Sequence, residues 1–201
     1  LLIDDLVRKY DARKPETMRV RYEQILVPIR EKVTSVLELG IFQGGSLNVW
    51  RELFPNAAIV GIDTNHYVVP QQFSDRITSY KCDQANTVLL SEIALRHASD
   101  GFDVIIDDCS HVGSLTRASF VHLFRNHLKN GGIYFIEDWG VSYQEGPWEG
   151  SQYSGSGHMA GIAGMVKDLI DEIHVRSIFP ENTIDSILVS FDFIVVIKRS
   201  A

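Results

Sequence analysis

Acidic residues recur in this chain at the ends of short apolar runs. Val33–Gly40 (VTSVLELG) closes on Glu38-Leu39-Gly40, and Ala58–Asp63 (AIVGID) closes on Asp63. Ile77–Asp83 ends on Asp83, Phe102–Asp108 on Asp107-Asp108, and Ile133–Asp138 on Glu137-Asp138. A solvated acidic rim explains one such ending. Five gathered together repel one another unless a ligand or a cation uses them. Glycines stand beside the first of these ends, in Gly40-Ile41-Phe42-Gln43-Gly44-Gly45, and glycine lets a ligand approach the backbone closely. The spacing is not G-x-G-x-x-G, because Phe42 stands where the second glycine would, and this disfavours a nicotinamide or flavin enzyme. Asp63 lies 63 − 40 = 23 residues beyond Gly40, at the end of the next run, a placement that suits an acceptor for a ribose diol.

These ends need a scaffold that brings them to one edge. The apolar runs are predicted strands, and helical patterns separate them: Gly45–Phe54, Thr87–His97 and Ser114–Leu128, the last stopped by Lys129–Gly132 (KNGG). Strands alternating with helices of 10–15 residues imply βαβ units and a mostly parallel sheet. In such sheets ligands bind outside the carboxyl ends of the strands, near the point where strand order reverses. His158–His174 is a further predicted helix. Ile184–Ser190 and Phe193–Arg199 follow, separated by so few residues that only an antiparallel hairpin can join them. Leu1–Lys32 is predicted to be a helical cap with charged faces, and residues 140–157, rich in Gly, Ser, Tyr and Trp, a lid over the site.

Composition narrows the classes further. The 201 residues are 45% hydrophobic and 22% charged, a globular balance. Nineteen basic against 26 acidic side chains give a net charge of −7, which opposes general nucleic-acid binding. Cys82 and Cys109 make no disulfide framework, which fits a reducing cytoplasm. No apolar run approaches the ~20 residues needed to span a bilayer, so no membrane association is expected. The first ten residues, with Asp4, Asp5, Arg8 and Lys9, do not resemble a signal peptide.

The pattern Glu38-Leu39-Gly40-x3-Gly44, then Asp63, then Asp83, with a terminal hairpin, resembles the class I S-adenosylmethionine-dependent methyltransferases. The resemblance runs over about residues 33–199. It implies an α/β, Rossmann-like fold with a seven-stranded sheet in the order 3-2-1-4-5-7-6, strand 7 antiparallel and helices on both faces. It also implies a single domain over 1–201, with a cofactor-binding core at 33–139 and a final helix and hairpin at 158–201. Glu38, Gly40, Gly44, Asp63, Asp83, Gln84 and Asp107 become the cofactor-binding candidates, Asp63 toward the ribose and Asp83-Gln84 beside the adenine.

IIDDCSH (Ile105–His111) and YFIEDWG (Tyr134–Gly140) carry a narrower resemblance, to the metal-dependent O-methyltransferases of macrolide sugars (the mycinamicin type) and the related cephamycin and rhamnosyl enzymes. It implies Asp108, Glu137 and Asp138 as Mg²⁺ ligands, S-adenosylmethionine as methyl donor and His111 as general base. Cys109 departs from the glycine often found there, and the macrolide enzymes carry a large N-terminal domain that has no counterpart in these residues. Oxygen ligands with open positions suit a hard cation such as Mg²⁺, which polarises a hydroxyl. Asp107 and Asp108 point to opposite sides of a strand, so one of them faces the metal, and the D-x-x-H spacing favours Asp108.

The expected reaction is methyl transfer to a hydroxyl of a small molecule, a sugar of a natural product or glycan. Catechol-type relatives place a lysine where His111 stands, so a phenolic acceptor is the second reading. A non-catalytic cofactor-binding partner protein is the third. Trp139, Tyr143, Trp148 and His158 are candidate substrate contacts, because aromatic faces stack well on sugar or ring surfaces. A homo-oligomer is compatible with the sequence.

Overall fold

Strand β1 (Ser35–Leu39) is buried at every position, as a strand covered on both faces must be. Its side chains divide by parity. Val36 joins an apolar cluster with Ile59, Val104, Ile106 and Phe135, while Leu37 and Leu39 join another with Val60, Ile62, Ile105 and Tyr134. The sheet therefore has a core on each side. The computed structural model describes residues 2–65, 75–149, 161–175 and 183–200.

Strands β2 (Ala58–Asp63), β3 (Ile77–Lys81), β4 (Phe102–Asp107) and β5 (Leu128–Glu137) run parallel to β1. Strands β6 (Ile184–Val189) and β7 (Phe193–Lys198) close the sheet as an antiparallel hairpin, and β7 also pairs antiparallel with β5. The order is β3-β2-β1-β4-β5-β7-β6, as the sequence pattern predicts. Order reverses between β1 and β4, so a crevice opens at their carboxyl ends.

Helices α1 (Leu2–Tyr10), α2 (Glu16–Leu26) and α3 (Gly45–Leu53) cover one face, through Ile3, Leu6, Met18, Tyr22, Leu47 and Trp50. Helices α4 (Thr87–His97), α5 (Gly113–Asn126) and α6 (Gly161–Val175) cover the other, through Leu90, Ile93, Phe120, Leu123, Ile162 and Met165. The N-terminal segment thus packs as part of one helical layer on the sheet.

One expected boundary shifts. KNGG does not end α5, which stops at Asn126. It lies inside β5, where Leu128 pairs with Phe102 and regular pairing resumes only at Ile133 opposite Val104. The four residues bulge out of the ladder, and Gly131 (φ +77°) takes the left-handed conformation that the excursion needs. Residues 140–157 are described only to Glu149; Trp139–Tyr143 form a short 3-10 turn there.

Candidate active site

Parity along β4 and β5 decides which acids meet. Asp107 shares its side with Ile105 and is buried, accepting hydrogen bonds from Ser119 Oγ (2.8 Å) and Tyr134 Oη (3.2 Å). Burial raises its pKa to about 6, against the pull of those two hydroxyls. It does not line the cavity, contrary to its expected place among the cofactor residues. Asp108, the next residue, does.

The cavity holds about 640 Å³ and opens at the β1–β4 crevice. Gly40, Asp63, Asp83, Gln84, Asp108 and His111 all line it. Glu38 and Gly44 act one step removed. Glu38 is fully buried and accepts from Ser46 Oγ (2.8 Å), and burial raises its pKa to about 7 although the charge of Lys14 opposes this. Gly44 (φ +75°) closes a turn by donating to the Ile41 carbonyl (2.8 Å), and its neighbour Gly45 is the one on the cavity wall.

Asp63 fixes the glycine loop. Its Oδ2 accepts from the backbone N–H of Ile41 (2.9 Å) and Phe42 (3.1 Å), and its Oδ1 from that of Asn65 (2.8 Å). Burial works against the charge, but these N–H groups together outweigh it and hold the carboxyl below its ordinary range. Gln84 ties two further walls together, accepting from Ser110 N (3.1 Å) and donating to Ser119 Oγ (3.3 Å).

Asp108, His111 and Asp138 converge at one end. His111 Nε2 stands 3.8 Å from Asp108 Oδ1 and 3.7 Å from Asp138 Oδ2, and one ligand atom of each residue lies within 4.8 Å of the others. His111 and Asp138 both adopt left-handed backbone (φ +56° and +52°). For residues other than glycine this costs about 1–3 kcal/mol each, and it persists where surrounding structure enforces it. The enforcing contacts at Asp138 come from the β6–β7 turn: Asp138 N donates to the Asp192 carbonyl (2.9 Å) and Trp139 Nε1 to the Ser190 carbonyl (2.8 Å). Burial and the charge of Asp108 push the Asp138 carboxyl above its usual range.

Glu137, expected as a third Mg²⁺ ligand beside Asp108 and Asp138, stands apart from this trio. It shares a side with Ile133 and Phe135, beneath α2, and is buried. Both its oxygens lie 2.7 Å from Lys14 Nζ, and Tyr22 Oη donates to Oε1 at 2.5 Å. Lys14 Nζ also donates to Asp108 Oδ2 (2.7 Å). Burial alone would lower the Lys14 pKa, but Glu137 and Asp108 outweigh it and raise it instead. Sequence reasoning named neither Lys14 nor Tyr22. Cys109, beside Asp108, is pushed up to about 12 by burial and the surrounding acids, so its thiol stays protonated.

A second groove, of about 410 Å³, shares Asp138 with this site and is lined by Trp139, Tyr143 and Phe191. Phe191, 89% exposed at the hairpin tip, also escaped the sequence reading; an aromatic residue left bare in a tight turn was its one signal. Trp148 instead covers Gly146, at a distance from both cavities' linings. His158 lies outside the described residues.

The donor set is one that a hard divalent cation accepts: the partly exposed carboxylate oxygens of Asp108 and Asp138, brought together beside His111. The cavity likewise fits an adenosine-bearing cofactor in volume, with Asp63 and Asp83 along one wall and the glycine loop along another.

No family model matches the chain. It is 32% identical over 169 residues to demethylmacrocin O-methyltransferase of Streptomyces fradiae, covering 81% of this chain and 41% of that protein. It is 34% identical over 161 residues to mycinamicin VI 2''-O-methyltransferase of Micromonospora griseorubida, covering 76% of this chain and 38% of that protein. The structure of the MycE methyltransferase of mycinamycin biosynthesis, in complex with Mg, SAH and mycinamycin VI, superposes with a TM-score of 0.83 at 27% identity, covering 100% of this chain and 55% of that one. The chain spans about two fifths of the length of the curated relatives it matches. In sequence the chain is similar to these O-methyltransferases over most of its own length, and in fold to the MycE methyltransferase over all of it.

Proposed function

We propose that this chain transfers a methyl group from S-adenosylmethionine to a sugar hydroxyl of a small-molecule natural product, with Mg²⁺ at Asp108 and Asp138. The observation that carries the reading is the convergence of Asp108, His111 and Asp138 at one end of the cavity that Asp108 and His111 line together with Gly40, Asp63 and Asp83. Bound there, the cofactor supplies a sulfonium-activated methyl, and Mg²⁺ polarises the accepting hydroxyl. Asp108 and Asp138 would hold the cation through their carboxylates. His111 Nε2, beside both, takes the hydroxyl proton. The glycine loop, pinned by Asp63, sets the direction of the methyl donor. Trp139, Tyr143 and Phe191 offer an apolar floor for the acceptor next to Asp138.

Sugar hydroxyls are favoured over phenols because the relatives above act on macrolide sugars and because histidine stands three residues after Asp108. A panel of glycosylated polyketides, assayed for methyl transfer with Mg²⁺ or with EDTA, tests the reading. Transfer should require Mg²⁺, stop on chelation and return on adding the metal back. Transfer indifferent to EDTA would sink the metal site, and binding of S-adenosylhomocysteine without turnover on any acceptor would favour a partner protein.

Asp63 gives a second check, by titration of S-adenosylhomocysteine. Asp63→Ala removes the acceptor that holds two loop N–H groups. A hydrogen bond to a charged group contributes about 1.5–3 kcal/mol, so the dissociation constant should rise roughly ten- to hundredfold. Unchanged affinity would remove Asp63 from the cofactor site.

A further inference from the structure

One short turn meets both the cavity and two of the strand-end carboxylates, Asp108 and Glu137. Residues 11–15 join α1 to α2. Asp11, Ala12 and Arg13 line the cofactor cavity. Asp11 (φ +49°) and Arg13 (φ +52°) take left-handed backbone, and the Arg13 guanidinium lies 5.1 Å from the Phe42 ring centroid, over the glycine loop. The turn also presses on α3. A Cβ on Gly45 would come within 2.6 Å of the Tyr10 carbonyl oxygen and 3.1 Å of Ala12 Cα, so only glycine admits this approach.

Lys14 is the next residue, and its side chain leaves the cavity wall for the interior. It is 4% exposed and bridges Asp108 Oδ2 and both oxygens of Glu137. Its own carbonyl accepts from Arg19 Nη1 at 2.7 Å, which fixes the backbone at this point. With Oδ2 on Lys14, the free oxygen of Asp108, Oδ1, is the one that faces His111.

We propose that Lys14 is a positioning residue. Its ammonium anchors the turn against the glycine loop and orients Asp108, so that the cofactor wall and the strand-end carboxylates Asp108 and Glu137 are set by one shared cation. Detaching the ammonium loosens a turn whose conformation is strained at two residues, leaving the Arg19 contact to hold it alone at Lys14, and weakens the cofactor wall. The proposal rests on the reading that the cavity takes S-adenosylmethionine.

The test is calorimetric titration of S-adenosylhomocysteine, with EDTA present so that metal occupancy plays no part. Each variant is measured well below its own melting temperature, which separates affinity from folded fraction. Lys14→Met should lose affinity by about 5- to 150-fold, the usual span of coupling between linked sites. Lys14→Arg, which keeps the charge, should bind close to wild type. Should Lys14→Met fail to fold, the double variant Lys14→Met/Glu137→Gln detaches the turn without stranding the Glu137 charge, and it should show the same loss. Wild-type affinity in Lys14→Met or in the double variant would overturn the proposal alone, as would a Lys14→Arg loss equal to that of Lys14→Met. A wild-type protein that binds no S-adenosylhomocysteine would overturn the cofactor reading and the proposal together.

Discussion

Replacing His111 with alanine is expected to lower turnover by about 10²–10⁴-fold, the usual contribution of a positioned acid or base. The imidazole sits at the cavity edge, 22% exposed, with Nε2 facing Asp108 Oδ1 and Asp138 Oδ2. No other imidazole stands near those carboxylates among the described residues. His122, within α5, and His127, at its end, share Ser91 of α4 (2.8 and 2.9 Å), where burial lowers both their pKa values. The cofactor is held by other groups, so affinity for S-adenosylhomocysteine should stay nearly unchanged. Rates at saturating acceptor and Mg²⁺, set beside that affinity, decide the matter. Full activity in the variant would remove His111 as base, and a matching collapse of cofactor affinity would make its role structural.

Gly40→Ala should damage the fold itself. Gly40 has φ +91°, and a Cβ there would lie 2.0 Å from the Asp108 carbonyl oxygen. Neither backbone can yield easily. Gly40 N donates to the Ile62 carbonyl (2.8 Å), and Asp108 N donates to the Leu39 carbonyl (2.9 Å). Left-handed strain and overpacking cost about 1–3 kcal/mol each, so the combined loss is about 2–6 kcal/mol. That is a large share of the roughly 5–15 kcal/mol by which a domain is stable. Urea unfolding should show a clearly lower midpoint. A midpoint equal to wild type would contradict the close approach of β1 and β4 at this point.

Much of this was legible in the sequence because it depends on local pattern. Apolar runs ending in acids mark strands whose carboxyl ends face a ligand, and the close pair Ile184–Ser190 and Phe193–Arg199 allows only a hairpin. The split of Asp107 from Asp108 follows from strand parity alone. The same parity puts Glu137 beside Phe135 and therefore inward, and a buried carboxylate needs a cation or donor. What parity cannot say is which one. Lys14 and Tyr22 lie 123 and 115 residues away, and a lysine in a charged N-terminal segment reads as solvated. That Asp107 turns onto Ser119 and Tyr134 was hidden for a related reason, because those hydroxyls sit on elements whose facing is set by packing. KNGG was misread because glycines that stop a helix also permit a bulge.

The β6–β7 turn that clamps Asp138 has a consequence for how the protein matures. Asp138 is locked by Asp192, and Asp108 by Lys14, so the reacting centre draws on segments near both limits of the described chain. Contacts between residues so far apart in sequence reward the chain only after the loop-closure entropy has been met, which slows their formation. A nascent chain can therefore have all five parallel strands and still lack a working centre. The centre is complete only once the hairpin has docked against β5 and its turn has engaged Asp138.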